Sequence, residues 1–193
     1  MKKGVSGGII VLVIVGLLAV FGITQYNSLA KEEQAVEAQL SQVDNVMQRR
    51  ADLIPNLVNS VKGSMGQEQK VFGDIAEARK AYGNASTDEE KIKTSQALDQ
   101  SVGTLVNVIN ENYPELKSND NVQTLMTQLE GSENRISVER KRYNEAVQTY
   151  NQQVVSFPKN IFANLMGLGK KPYFEAQPGA ENVPEVDFGN SGE

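Results

Sequence analysis

Residues 7–23 read GGIIVLVIVGLLAVFGI and carry no charged and no hydrogen-bonding side chain. The charge-free stretch around them extends from residue 4 to residue 30. An α-helix needs about 20 apolar residues to cross a hydrocarbon core about 30 Å thick. The sequence therefore predicts that residues 1–28 form a short N-terminus and a transmembrane anchor, and that residues 29–157 are tethered to the lipid bilayer.

A cleaved signal peptide is the alternative interpretation of this segment. Lys2 and Lys3 give it a basic start, and Ser28 and Ala30 are small residues at the positions that a signal peptidase recognises. The apolar run exceeds the core of about 7–15 residues that is typical of signal peptides. The helical pattern also continues through Ala30, so we expect the anchor to be retained.

The distribution of basic residues predicts the orientation of the anchor. Lys2 and Lys3 precede it, whereas Lys31 is followed at once by Glu32 and Glu33. Because Lys and Arg are enriched on the cytoplasmic side of membrane helices, we expect a cytoplasmic N-terminus and an exported C-terminal domain.

The composition excludes several classes of function. Removing Lys2 and Lys3 from the 19 basic residues leaves 17 against 24 acidic residues, a formal charge of about −7. Such a domain lacks the clustered cations that nucleic acid requires. The chain has no cysteine and no histidine, which excludes disulfides, thiolate nucleophiles, histidine triads and His- or Cys-ligated zinc. We expect no cofactor, no metal and no enzymatic activity; a carboxylate-only active site is the least favoured alternative.

An apolar stripe at spacings of three and four predicts a long helix after the anchor. Its members are Leu29, Val36, Leu40, Val43, Met47, Ile54, Leu57 and Val61. Pro55 interrupts this run, and a proline removes a backbone hydrogen bond and crowds the residue four positions earlier. We therefore expect a kink in this helix near Ala51, acting as a static bend rather than a hinge.

Residues 63–66, GSMG, are expected to break the helical pattern before a second run at residues 71–82. This break predicts an all-α fold, an antiparallel up-and-down four-helix bundle that follows the transmembrane helix. The alternative is three long helices, in which a first helix continues unbroken from residue 29 to residue 82.

Capping signals define the other two helices. Ser86 and Glu89 match a capping box, and the helix they open is expected to end before Pro114. Asp120 is the expected cap of the last long helix, which continues to about Phe157.

Several motifs resemble those of the LemA family of bacterial membrane proteins. They are YNSL at 26–29, RRADLIPNLV at 49–58, ENRI at 133–136, YN at 143–144 and 150–151, FP at 157–158 and FEA at 174–176. The resemblance covers nearly the whole chain. It implies a short N-terminal segment, one membrane helix and an α-helical bundle, with no established enzymatic activity, and it disfavours cleavage after Ala30.

Three charged residues lie on the predicted apolar stripes: Arg50, Glu133 and Arg140. A buried charge is costly unless it is paired and hydrogen-bonded. We therefore predict a structural polar layer in which Arg50 pairs with Glu133, assisted by Asp52 or Glu139. A layer that responds to a ligand or an ion is the alternative.

Residues 158–171 form a short amphipathic segment with apolar residues between basic ends. The candidates for contact with a membrane surface are Lys159, Ile161, Phe162, Leu165, Met166, Lys170 and Lys171. With an even number of helices, the chain returns here to the end of the bundle from which the anchor emerges. We expect the segment to touch the bilayer or to cover that end of the bundle.

Residues 172–193 are rich in Pro, Gly and acidic residues and are expected to be extended or disordered. The isolated anchors in this tail, suited to docking on the bundle, on another subunit or on a partner, are Tyr173, Phe174, Val183, Val186 and Phe188. Taken together, the sequence favours a non-enzymatic, self-associating scaffold or adaptor at the bacterial inner membrane. It would act with an envelope protein that the sequence does not identify; a sensor or regulatory subunit is the alternative.

Overall fold

The computed structural model describes residues 3–175, and this part of the chain is all-helical. Five α-helices and one 3₁₀ helix follow one another, with no strand in the described range. They are α1 (Lys3–Val61), α2 (Gln69–Asn84), α3 (Asp88–Asn112), the 3₁₀ helix (Pro114–Ser118), α4 (Asp120–Val155) and α5 (Lys159–Met166). The prediction of an all-α chain with one long apolar N-terminal helix is confirmed. Residues 176–193, most of the tail predicted to be extended or disordered, lie outside the described residues.

Helix α1 comprises 59 residues and extends for about 90 Å. Among the described elements it is the one helix long and apolar enough to cross a membrane. Its apolar side chains are exposed from Ile9 to Ile23, whereas Leu29 is fully buried. The same unbroken helix therefore supplies both the apolar segment and part of the hydrophobic core.

The chain turns after Val61, where the GSMG segment was expected to break it. The N–H groups of Ser64 and Met65 donate to the Val61 carbonyl, and the Met65 side chain is fully buried under the turn. The alternative of one unbroken helix to residue 82 is therefore wrong. Helix α1 does continue through Pro55, and the kink expected there stays a prediction.

Hydrogen bonds at both ends show how α1 and α4 run past each other. Ser28 contacts Gln153 at one end, and Asn121 donates to Ser60 at the other. The two helices are therefore antiparallel. Helices α1 to α4 contribute to one hydrophobic core, in which each fully buried large apolar side chain is worth about 1.5–3 kcal/mol.

The helix caps differ from the predicted ones by one residue. Thr87 caps α3 and forms a capping box with Glu90, rather than Ser86 with Glu89. The sequence STDEE satisfies both registers, and Glu90 also accepts hydrogen bonds from the Ser86 backbone and hydroxyl groups. The Glu90 carboxylate can thus hold three donors, which favours the later register.

Helix α4 also begins and ends near, but not at, the predicted residues. Its cap is Asn119, whose side chain accepts from the N–H groups of Asn121 and Val122, and Asp120 is the first helical residue. The helix ends at Val155 instead of Phe157. Helix α5 ends at Met166 and is capped by Gly167, whose φ of 70° lies in the left-handed region that favours glycine.

Candidate functional site

Four charged side chains from three helices meet in an ionic cluster: Arg50 from α1, Asp99 from α3, and Glu133 and Arg140 from α4. Arg50 Nη1 lies 2.7 Å from Asp99 Oδ1, and Arg140 Nη2 lies 2.6 Å from Asp99 Oδ2. Arg50 also forms an ion pair with Glu133. The structure thus brings together the three charged residues of the predicted polar layer, around a fourth, Asp99, that was not predicted.

Burial within the cluster is uneven. The Asp99 side chain is 2% exposed, whereas that of Glu133 is 45% exposed. Burial raises the pKa of the Asp99 carboxyl, although the attraction of Arg140 and Arg50 opposes this effect. Asp99 is therefore the centre of the cluster, and Glu133 lies at its solvent-facing edge.

The predicted assistants, Asp52 and Glu139, do not pair with Arg50. Asp52 accepts a hydrogen bond from Gln48 within α1, and Glu139 pairs with Arg142 within α4. Both are local pairs within one helix, three or four residues apart, which need no tertiary contact. The prediction of their role in the cluster is wrong.

An open cleft of about 480 Å³ lies beside the cluster and is lined by Arg50, Asp99 and Glu133. The Nε groups of Arg50 and Arg140 are buried and have no hydrogen-bond partner within the described structure. The cleft thus brings solvent to the charged side chains of Arg50, Asp99 and Glu133, whereas the two unpartnered Nε groups lie in the buried part of the cluster. No group of three or more metal-ligating side chains occurs in residues 3–175.

A strap of five residues, 171–175, runs antiparallel along α4 next to the cluster. Asn151 exchanges two hydrogen bonds with the backbone of Lys171, and Asn144 exchanges two with the backbone of Phe174. Seven helical residues rise about 10.5 Å, and three extended residues cover about 10 Å. The distance along α4 from Asn144 to Asn151 therefore matches the length of extended chain from Lys171 to Phe174.

The Phe174 side chain fixes the strap to the ionic cluster. Its ring meets the Tyr143 ring edge to face, with the centroids 5.2 Å apart, and Arg140 lies 4.9 Å from its centroid. The Tyr143 hydroxyl donates to the Pro172 carbonyl at 3.0 Å. Two of the predicted tail anchors lie in the described residues: Phe174 is buried against the helical body (residues 29–166), and Tyr173 is 41% exposed. Val183, Val186 and Phe188 lie outside the described residues.

The predicted membrane-surface residues of α5 divide between two sides of the helix. Phe162 and Met166 pack against the core. Ile161 and Leu165 point away from it and are largely exposed. The Phe162 ring covers Gly22, where an added Cβ would lie 3.5 Å from Phe162 Cε1. Helix α5 is therefore held directly against the end of the apolar segment of α1.

Two of the three lysines predicted to contact the membrane surface bind protein groups, and their contact with a membrane stays a prediction. Lys159 Nζ donates to Ser28 and to Gln153 at 3.0 and 2.6 Å. Lys171 Nζ lies between two carboxylates, 3.8 Å from Glu33 and 3.5 Å from Asp88. Lys170 is exposed. The basic ends of the segment therefore help to fasten α5 and the strap to α1, α3 and α4.

Comparison with known proteins relates the chain to several bacterial sequences. It is 25% identical over 197 residues to magnetosome protein MamQ 2 of Paramagnetospirillum magneticum, covering 89% of this chain and 72% of that protein. It is 22% identical over 183 residues to magnetosome protein MamQ of Magnetospirillum gryphiswaldense, covering 81% and 67%. It is 20% identical over 177 residues to protein LemA of Metamycoplasma hominis, covering 92% and 79%.

These relatives and the apolar N-terminal helix indicate a membrane-associated bacterial protein. The model of the LemA family matches residues 39–188, which include α2 to α5, most of the body part of α1 and the strap. The matched range also contains the four residues of the ionic cluster and both clamping asparagines. The chain therefore belongs to the LemA family.

Proposed function

We propose that the protein is a non-enzymatic scaffold or adaptor, anchored in the bacterial inner membrane and self-associating there. The observation that carries this proposal is the continuity of α1 from the apolar segment into the core. Ile23 is exposed and Leu29 is fully buried, and the helix between them is unbroken. The body is thus fixed to its anchor without a flexible linker, so the anchor determines both its position and its tilt.

This coupling favours a positional role over a catalytic one. An enzyme on a flexible tether can reach substrates in a large volume, whereas a body that is rigid with its anchor presents the same surfaces at a fixed height. A fixed height suits lateral contacts between identical copies or with an envelope partner. Helical packing in the membrane adds to such contacts where small residues such as Gly7, Gly8 and Gly16 are exposed.

Self-association is tested on the full-length protein in nanodiscs or detergent by native mass spectrometry. We expect a defined multiple of the 21.1 kDa chain. A monomer under every condition that preserves the fold would contradict the self-associating part of the proposal. Crosslinking in intact cells, followed by mass spectrometry, then identifies an envelope partner.

The proposed orientation has a cytoplasmic N-terminus and an exported body, in accordance with the basic residues at the N-terminus. Because the chain has no cysteine, Val138→Cys on the exposed side of α4 gives a single reactive thiol. We expect a membrane-impermeant maleimide to label it once the outer envelope is opened. Labelling that requires lysis of the inner membrane would reverse the orientation.

The second candidate function is a sensor or regulatory subunit, favoured by the cleft beside the ionic cluster. A small cation that bound the Glu133 carboxylate there would compete with Arg50 for it, and this carboxylate is already nearly half exposed. The test is thermal unfolding of the full-length protein with a panel of salts at constant ionic strength. A saturable rise in Tm that Glu133→Gln abolishes would support a sensor, and uniform behaviour across the panel would oppose it.

A further inference from the structure

Helix α5 is apolar on the side that faces away from the protein as well as on the side that packs against it. Phe157, Ile161 and Leu165 are 81%, 50% and 80% exposed. Each lies on one side of α5 or in the turn that precedes it. Leaving such a cluster in water costs about 25 cal/mol per Å² of apolar surface. Contact with a non-aqueous surface would therefore stabilise these three exposed side chains.

The position of α5 along α1 indicates which surface lies next to these apolar side chains. The Phe162 ring lies over Gly22 and meets the Phe21 ring edge to face at 6.3 Å between centroids. If the hydrocarbon core takes about 20 residues from residue 7 onward, it ends near Tyr26. Helix α5 is therefore level with the boundary between acyl chains and headgroups, where an exposed Tyr26 also fits the aromatic belt of membrane proteins.

The geometry points to a lipid-binding face, made of Phe157, Ile161 and Leu165, that lies in the headgroup region of the leaflet from which α1 emerges. Interfacial helices bury their apolar side about 5–10 Å into this boundary. The occupant is the bilayer because the face is continuous with the part of α1 that the membrane surrounds. The inference rests on the anchor in the proposed function and does not require self-association.

The charges around α5 determine which lipids the face prefers. Lys159 and Lys171 are engaged by protein oxygens, as described above, so their charges are partly satisfied. Lys170 is left as an exposed cation at the end of the segment. Binding to the bilayer is therefore dominated by apolar burial. It depends only weakly on anionic lipids and on salt, unlike that of a polybasic segment.

The absence of cysteine from the chain allows a direct measurement of depth. Leu165→Cys, labelled with an environment-sensitive fluorophore, is studied in the full-length protein at one copy per phosphatidylcholine nanodisc. Lipids that carry a nitroxide near the headgroup quench probes in this region. The matched control is Val138→Cys on α4, which is also exposed. Val138 lies about 25 Å along α4 from Val155, the end of that helix that is next to α5. A third label, Leu17→Cys, reports on the anchor itself.

We expect the shallow nitroxide to quench the probe at position 165 at least about threefold more than the probe at position 138. Adding anionic lipid should leave that ratio nearly unchanged. Equal quenching of the probes at positions 165 and 138, with equal access of a water-soluble quencher to both, would overturn the inference. If lipid nitroxides still quench the probe at position 17 in that case, the anchor in the proposed function stands. Shielding of position 165 only in discs with two or more copies would assign the face to a second copy and would also overturn it.

Discussion

Asn144 and Phe174 exchange two hydrogen bonds: Asn144 Nδ2 donates to the Phe174 carbonyl at 2.8 Å, and the Phe174 N–H donates to Asn144 Oδ1 at 2.9 Å. The asparagine thus binds the backbone of the strap as a neighbouring strand would. Asn151, one heptad later in α4, exchanges the same two hydrogen bonds with the backbone of Lys171. The side-chain amides of two helical asparagines thus satisfy backbone groups of the strap that an adjacent β-strand would otherwise bind.

Replacing Asn144 with alanine should release the strap. The change removes two hydrogen bonds, each worth about 1 kcal/mol, so we expect a loss of about 2 kcal/mol from its attachment. Hydrogen exchange of the Phe174 amide should become faster by more than tenfold. The matched control is Gln148→Ala, at an exposed position of α4 between the two asparagines. Unchanged protection of Phe174 in Asn144→Ala would show that the clamp does not hold the strap.

Replacing Asp99 with asparagine should destabilise the body strongly. It leaves Arg50 and Arg140 without their shared buried carboxylate, and breaking a buried ion pair on one side costs about 3–5 kcal/mol. The measurement is urea unfolding of the detergent-solubilised protein. The control, Asp52→Asn, alters an exposed carboxylate on α1 and should cost less than about 0.5 kcal/mol. Similar losses for both variants would contradict the central position of Asp99.

The two ion pairs of Arg50 should differ in strength. Its partner Asp99 is buried, whereas Glu133 is nearly half exposed and screened by water. Double-mutant cycles should therefore give a larger coupling energy for Arg50 with Asp99 than for Arg50 with Glu133. A larger value for the Glu133 cycle would reverse the assignment of the cluster's centre, and additive losses in both cycles would remove the pairing altogether.

Alkaline pH should destabilise the body through Tyr82. Burial first, and then the neighbouring Asp44 carboxylate, raises the pKa of this phenol, which donates to Asp44 Oδ1 at 3.0 Å. Because the folded-state pKa lies above the unfolded value of about 10, the stabilising contribution is complete below pH 10 and is lost as the pH rises above it.

The variant Tyr82→Phe should give a shallower fall of stability with pH above about 10 than the unchanged chain. The observable is the slope of the unfolding free energy against pH, since the lost hydrogen bond lowers stability at every pH. Tyr173→Phe, at an exposed position, serves as the control and should leave the slope as it is. An identical slope in Tyr82→Phe would contradict the role assigned to this tyrosine.

The sequence predicts the apolar stripes well because helical period and burial are coupled. All eight members of the predicted α1 stripe, from Leu29 to Val61, are buried. The break after Val61 follows from two glycines close together, which weaken a helix. Caps are predicted less exactly, since Ser86 with Glu89 and Thr87 with Glu90 both match a capping box, and only the hydrogen bonds that Glu90 accepts in the structure distinguish the two.

The ionic cluster is predicted only in part. A lone aspartate in a polar helix is usually solvated, so residue type alone does not predict a place for Asp99 in the cluster. Its spacing did carry a signal: it lies seven residues after Ile92 and three before Val102, on the buried side of α3. The clamp had a comparable signal, a Tyr-Asn pair repeated after one heptad at residues 143 and 150, but nothing in the sequence shows which backbone those asparagines bind.

Retention of the apolar segment of α1 is the central claim, and the fold gives it a physical reason. Cleavage after Ala30 would remove Leu29, which is fully buried in the core, and Ser28, which accepts from Lys159. Losing one buried leucine costs about 2–5 kcal/mol. A cleaved body would thus be damaged at the point where α5 is fastened.

The most direct test is intact-mass analysis of the protein after alkaline carbonate extraction of membranes. We predict that it stays in the membrane pellet with a mass that includes Leu29 and the apolar residues before it. A mature chain that begins at Lys31, or an uncleaved chain released into the carbonate supernatant, would contradict the account.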